Sequence, residues 1–139
     1  MKSQTFFQLP VIILLAAGLV WTVPPVRAAA VITVTLLADV QAPDGQCTLR
    51  EAIINANNDN QSGSVDCPPG AGADTINIPL TGTILLNATL PVITSPLGLT
   101  IDGFGTAIIS GNNVVQVFIN GPLALLTLQM LLVLLTYAL

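Results

Sequence analysis

The sequence predicts a mostly β protein with one short helix near its start and short strands that recur at a near-constant step. Three observations predict it. Ile32-Thr33-Val34-Thr35-Leu36 alternates apolar and polar residues, the period of a half-buried strand. Thr48 to Asn60 carries both a helix start and a helix stop. Beyond it, short apolar runs return at almost equal spacing, a signature of solenoid repeats.

Composition sets the frame. The 139 residues are 53% hydrophobic and 7% charged, against roughly a quarter charged in an ordinary soluble domain. The excess of apolar residues sits at the two ends, Met1 to Ala30 and Leu123 to Leu139. The stretch between them has the apolar content of an ordinary globular domain. The length allows one domain, and the apolar content excludes a disordered chain. Three basic residues against seven acidic ones leave no basic footprint, so no nucleic-acid partner is expected.

Residues 1–30 have the layout of a secretory signal peptide. Lys2 supplies a positive start, Leu9 to Val23 an apolar run, and Pro24-Pro25 a break before small residues at Val26-Arg27-Ala28 and Ala28-Ala29-Ala30. Cleavage is expected after Ala28 or Ala30. The alternative is an uncleaved membrane anchor, but the run is shorter than the roughly 20 residues of a spanning helix. Removal of the segment leaves Arg50 as the one basic side chain, against Asp39, Asp44, Glu51, Asp59, Asp66, Asp74 and Asp102.

Cys47 and Cys67 are the only cysteines. In an exported chain an even pair reads as a disulfide. The bridge would add roughly 3 kcal/mol on the chain-entropy model. A pair of free thiols is the alternative. A zinc site needs three or four ligands, and the chain has no His, so no metal or other cofactor is expected.

Thr48-Leu49-Arg50-Glu51 fits a capping box, with Thr48 as N-cap and Glu51 reaching back to it. Leu49, Ala52, Ile53 and Ala56 then fall on one helical face. Asn57, Asn58, Asp59 and Asn60 favour turns and stop the helix. The helix is therefore expected over 49–57, with Ile54 at the margin of its apolar stripe. Glu51 reads as a capping residue before a catalytic acid, and Arg50 as a solvated or ion-paired side chain before a ligand site.

The rest reads as short strands: Thr75-Ile78, Thr83-Leu86, Val92-Thr94, Leu99-Ile101, Ala107-Ile109 and Val114-Ile119, divided by Pro, Gly, Asn and Asp. The spacings from Ile76 to Leu99, from Ile84 to Ile108 and from Ile93 to Val117 are nearly the same, so three short strands are expected to recur once. Ile76, Ile78, Ile84, Leu86, Leu99, Ile101, Val115 and Val117 are the expected core of these coils. A small β-sandwich is the alternative.

The stretch from Ala38-Asp39-Val40 through Cys47-Thr48-Leu49-Arg50-Glu51-Ala52-Ile53 resembles the CSLREAI domain, which opens many secreted bacterial proteins. Asn55-Ala56-Asn57, Cys67-Pro68, Gly72-Ala73-Asp74-Thr75-Ile76 and Leu99-Thr100-Ile101-Asp102-Gly103 also look like its pattern. The resemblance covers about Ile32 to Asn120. It implies the start of a right-handed parallel β-helix of the pectate-lyase-like fold. A cap region at 31–74, of strand, disulfide-tethered helix and loop, would lead into coils at 75–122. It carries over no active site.

The apolar tail, 123–139, departs from that pattern and admits three readings. Leu126, Leu128 and Met130 could face inward in a partial third coil at a truncated end. The segment could also be a membrane anchor, or a helix packed over the open coil. Many β-helix proteins are polysaccharide lyases or hydrolases, so a truncated remnant of such an enzyme is the alternative function. Hydrolysis needs two carboxylates flanking the scissile bond, and the expected coils carry only Asp102. A Ca²⁺ site among the cap acids would need oxygen ligands, and no known loop spacing supports one. Asn60-Gln61-Ser62 and Asn87-Ala88-Thr89 match glycosylation sequons, which carry no weight in a bacterial protein. The expected function is a non-catalytic, exported structural or adhesion-type module of a secreted or cell-surface protein. Its partner would be an extracellular glycan or surface component, and membrane contact through 123–139 is a further expectation.

Overall fold

The computed structural model describes residues 28–134. Most of the signal-peptide expectation, on residues 1–27, and the end of the tail, 135–139, lie outside the described residues. The elements in order are β1 (Val31–Thr33), α1 (Leu49–Asn58), β2 (Asp74–Asn77), β3 (Gly82–Leu85), β4 (Leu99–Asp102), β5 (Ala107–Ser110), β6 (Leu126–Gln129) and β7 (Leu132–Leu134). The fold is thus mostly short strands with one short helix.

The strands form two parallel sheets, one in the order β1-β2-β4-β6 and the other β3-β5-β7. Strands of the two sheets alternate along the chain after the helix. Each strand therefore pairs with the next but one, and the chain returns to the same sheet after a crossover, as parallel pairing requires. A third line of contact is a parallel bridge between Ile93 and Asn120.

Side chains in register build the core. Ile32, Ile76 and Ile101 lie opposite one another across three strands and are wholly buried. Ile84 and Ile109 do the same in the second sheet. Leu49, Ala52, Ile53 and Ala56 of α1 belong to the same core, so the helix shares its apolar stripe with the strands. Ile54 is half-buried, at the edge of that stripe.

The register corrects the repeat read from the sequence. Ile76 pairs with Ile101 rather than Leu99, and Ile84 with Ile109 rather than Ile108. Ile93 meets Asn120 rather than Val117. The step is therefore slightly longer than expected at each of these positions. A one-residue slip turns every side chain to the other face. Ile109 is wholly buried and Ile108 is not, which settles that strand's register by burial where sequence likeness misleads.

Val114 to Ile119 is not a strand, despite its β-branched residues. Asn112 and Asn113 take left-handed backbone angles, with φ of 53° and 59°. The N–H groups of Val114 and Val115 both donate to the Gly111 carbonyl, at 2.9 and 3.0 Å. Turn chemistry at Asn-Asn overrides β propensity. Val117 is buried, but Val115 is only partly so.

The described tail is strand rather than helix. β6 pairs with β4 and β7 with β5, so both sheets continue past residue 122. No helix among the described residues is long and apolar enough to cross a membrane. Leu128 extends the Ile32-Ile76-Ile101 column, yet it is 42% exposed, because β6 is the last strand of its sheet.

Candidate functional site

The densest polar construction lies where α1 and the segments around it meet the first strands. Thr48 is the N-cap in extended conformation, and both arms of the capping box are present. The Thr48 hydroxyl accepts from the Glu51 N–H at 3.4 Å, and the Thr48 N–H donates to Glu51 Oε2 at 3.0 Å. Glu51 Oε1 accepts from the Ala42 N–H at 2.9 Å. The Glu51 side chain is wholly buried, so its oxygens are occupied by structural donors and face no solvent. Asp59 ends the helix in the left-handed conformation, φ 50°. Its Oδ1 accepts from the Gly72 N–H at 2.8 Å.

Cys47 and Cys67 are joined by a disulfide, with their Cα atoms 4.8 Å apart. The segment after the helix, through Gly70, folds back on it and is held by Asn55. The buried Asn55 amide donates to the carbonyls of Ser64 and Pro68 at 2.9 and 3.1 Å, and its oxygen accepts from the Gly63 N–H at 2.7 Å. Gly63 and Gly70 let this loop lie directly on α1. A Cβ at Gly63 would stand 2.7 Å from the Ile54 Cβ, and one at Gly70 2.7 Å from the Ala56 Cα. Close backbone approach of this kind needs glycine.

Three side chains of the cap reach into the corners of the first strand layer. Asp39 and Arg50 form a two-pronged ion pair, at 2.8 and 3.0 Å. Asp39 Oδ2 also accepts from the Asn87 N–H at 2.8 Å, while Arg50 donates to the Ala88 and Thr89 carbonyls at 2.8 and 3.0 Å. Asn57 clasps the next corner: its amide donates to the Val92 carbonyl and its oxygen accepts from the Thr94 N–H, both at 2.8 Å. One asparagine side chain thus supplies the donor and acceptor that a neighbouring strand would supply. Asp74 closes the strand start, accepting from the Ala30 and Ala71 N–H groups at 3.0 and 2.9 Å.

Two carboxylates at this junction, Asp39 and Asp74, are shifted from their ordinary value in opposite directions. Burial pushes the Asp39 carboxyl up, but the Arg50 hydrogen bond and charge and the Asn87 and Ala88 N–H groups outweigh it and hold it below its ordinary value. At Asp74 burial dominates, with a smaller push from the Asp59 charge, so that carboxyl lies above its ordinary value despite the Ala71 and Ala30 N–H groups. Among the described residues no group of three or more His, Cys, Asp or Glu is placed to hold a metal ion.

Two other surfaces are open to solvent. A groove of about 420 Å³ lies between Gln41-Ala42-Pro43 and Gln61 to Val65; it presents amides and hydroxyls but no charged side chain. On the outer face of the first sheet, Thr75, Thr100 and Thr127 share one column and Asn77, Asp102 and Gln129 another. Asp102 also accepts from the Phe104 N–H at 2.9 Å, the Asx turn expected at Asp-Gly.

The residues singled out in the sequence fall as follows. Thr48, Glu51, Cys47, Cys67 and the apolar stripe of the helix come together at the cap. Ile76, Ile78, Ile84, Leu86, Leu99, Ile101 and Val117 are buried core. In the sequence Asn55 reads only as part of the motif and Asn57 as a helix-stop residue, and their clasping roles emerge from the structure. The signal was available: asparagine is a poor helix-interior residue, and three of them on one short helix ask for side-chain partners. No protein-family model, curated protein or solved structure matches this chain.

Proposed function

We propose that this chain is an exported, non-catalytic module: the capped start of a right-handed parallel β-helix within a secreted or cell-surface protein of structural or adhesion type. One observation carries the reading. Asp39, Arg50 and Asn57 hydrogen-bond the backbone at Asn87 to Thr89 and at Val92 and Thr94, groups that a preceding layer would otherwise engage. An exposed row of unpaired N–H and C=O groups recruits other strands, so a cap that engages them keeps the first layer from pairing indiscriminately. The two alternating parallel sheets and the CTLREAI resemblance support the β-helix part of the proposal. The disulfide is compatible with an extracellular site. The polar columns of the first sheet are the surface on which a glycan partner would lie. The catalytic alternative finds little to use, because Glu51 is sealed inside the cap and Arg50 is paired with Asp39.

The triple variant Asp39→Ala, Arg50→Ala, Asn57→Ala tests the capping role, and fractionation of cells making the full chain tests export. The proposal expects a processed, disulfide-bonded chain outside the cytoplasm, and a triple variant that aggregates or unfolds at lower denaturant. An unprocessed chain with two free thiols would contradict export. A triple variant as stable and as soluble as the parent would contradict capping.

A further inference from the structure

Asp74 opens β2 and is only 2% exposed. Its carboxylate accepts from the Ala30 N–H at 3.0 Å and from the Ala71 N–H at 2.9 Å, both neutral backbone donors. A buried carboxylate ordinarily has a cationic partner. Among the described residues the one basic side chain, Arg50, is bound to Asp39. Asp59, at the end of α1, instead sets a second negative charge against Asp74. Asp74 is therefore a buried acid whose countercharge is missing from the side chains around it.

The segment that reaches Asp74 is the start of β1. Ala30 is held on both sides: its N–H by Asp74, its carbonyl by the Thr75 N–H at 2.9 Å. Val31 then pairs with Thr75. Ala28 and Ala29, just before, are exposed, so the peptide bond between them is open to a protease. Val26-Arg27-Ala28 has the small residues of a leader cleavage site. Hydrolysis there adds water across the Ala28–Ala29 bond. It leaves a carboxylate on Ala28 and an α-amine on Ala29, which is protonated at neutral pH. Covalent geometry keeps that amine within about 4 Å of the Ala30 nitrogen, which is itself in contact with Asp74.

We propose that cleavage after Ala28 supplies the missing countercharge, the new α-ammonium of Ala29 pairing with Asp74 and fastening the β1–β2 seam. Processing then acts on the fold and does more than release the chain. In the uncut chain the same nitrogen is a neutral amide and gives Asp74 no charge. Asp59 lies on the same side and adds to the attraction. Cleavage after Ala30 would instead remove the Ala30 N–H from the site. The proposal rests on the export reading and is independent of the clasps made by Asp39, Arg50 and Asn57.

The chain from Ala29 onward contains no lysine, so its α-amine is its one primary amine and amine-selective acetylation modifies that group alone. Intact mass of the exported chain reads the processing separately: a first residue other than Ala29 would contradict it, and this proposal with it. With Ala29 confirmed, the pH dependence of acetylation reads the amine. Its midpoint in the folded chain is expected about half a pH unit or more above that in urea. Asp74→Asn keeps an oxygen for the Ala30 N–H and should abolish the difference. A raised amine value contributes stability below the unfolded value and loses it as pH rises through the folded one. Acetylated parent chain should therefore show a folded-to-unfolded ratio about threefold lower at pH 7, and no loss near pH 10. The acetylated parent needs no substitution, so this comparison stands even if Asp74→Asn fails to fold. The same midpoint folded and in urea would overturn the proposal. So would an acetylated chain as stable as the free amine at pH 7, or an acetylation effect that persists in a folded Asp74→Asn variant.

Discussion

A buried glutamate and a buried asparagine hold the cap, and each does so through groups that a small change would reverse. Glu51 accepts from the Ala42 and Thr48 N–H groups on different oxygens. Glu51→Gln replaces one of these acceptors by an NH₂ donor facing an N–H donor. Hydrogen bonds to a charged group contribute about 1.5–3 kcal/mol, so a loss of that size is expected in denaturant unfolding. Asn55→Ala leaves the Gly63 N–H and several loop carbonyls without partners. Its expected cost is about 2–4 kcal/mol, against less than about 0.5 kcal/mol for Asn58→Ala on the exposed side. Equal effects for Asn55 and Asn58 would contradict the role given to Asn55.

Titration at the same scale has a definite sign. The folded Asp39 carboxyl lies below its ordinary value of 3.8, because Arg50 and two backbone N–H groups outweigh the opposing effect of burial. Its contribution is therefore present above the unfolded value and is lost as pH falls through the folded one. Asp74 lies above 3.8 because burial dominates there, so protonation of that group favours the fold as pH falls through its folded value. Asp39→Asn should lower the unfolding midpoint at pH 7, and the difference from the parent should shrink below about pH 3.8. A difference that stays constant down to pH 2 would refute the ion-pair account.

At the scale of elements, the helix was legible because its signals are local. Capping box, apolar stripe and stop residues all lie between Thr48 and Asn60, and the observed Leu49–Asn58 ends one position beyond the expected span. The strands were legible as apolar runs, but their pairing was not. Register depends on how much chain each connection consumes, and like residues such as Ile108 and Ile109 are interchangeable in a pattern but not in a core. Val114 to Ile119 misleads because two asparagines before it bend the chain, a turn signal that outweighs the β-branched residues. The cap clasps were illegible for a different reason: Asp39 meets Asn87 across 48 residues, and no local pattern carries that distance. The disulfide belongs to this scale too. Cys47→Ser with Cys67→Ser should cost roughly 3 kcal/mol on the chain-entropy model, with the loop 61–70 losing amide-exchange protection before the strands do. Global unfolding at the same denaturant as the parent would contradict it.

Across the whole molecule, the start of the described chain already belongs to the fold. The Ala30 N–H donates to Asp74, and its carbonyl accepts from the Thr75 N–H at 2.9 Å, whereas Ala28 and Ala29 are exposed. If export removes a leader, cleavage after Ala28 keeps both contacts and cleavage after Ala30 removes them. The intact mass of the exported chain is therefore expected to begin at Ala29; a chain beginning at Val31 would show that these contacts are dispensable. The role proposed for the molecule rests on the cap holding the free backbone of the first strand layer. Residue-resolved amide hydrogen exchange on the oxidised chain reads this directly. The N–H groups of Asn87 and Thr94 should exchange slowly, and Asp39→Asn should speed the first and Asn57→Ala the second, each leaving the other protected. Fast exchange at both positions in the parent chain would contradict the capping role.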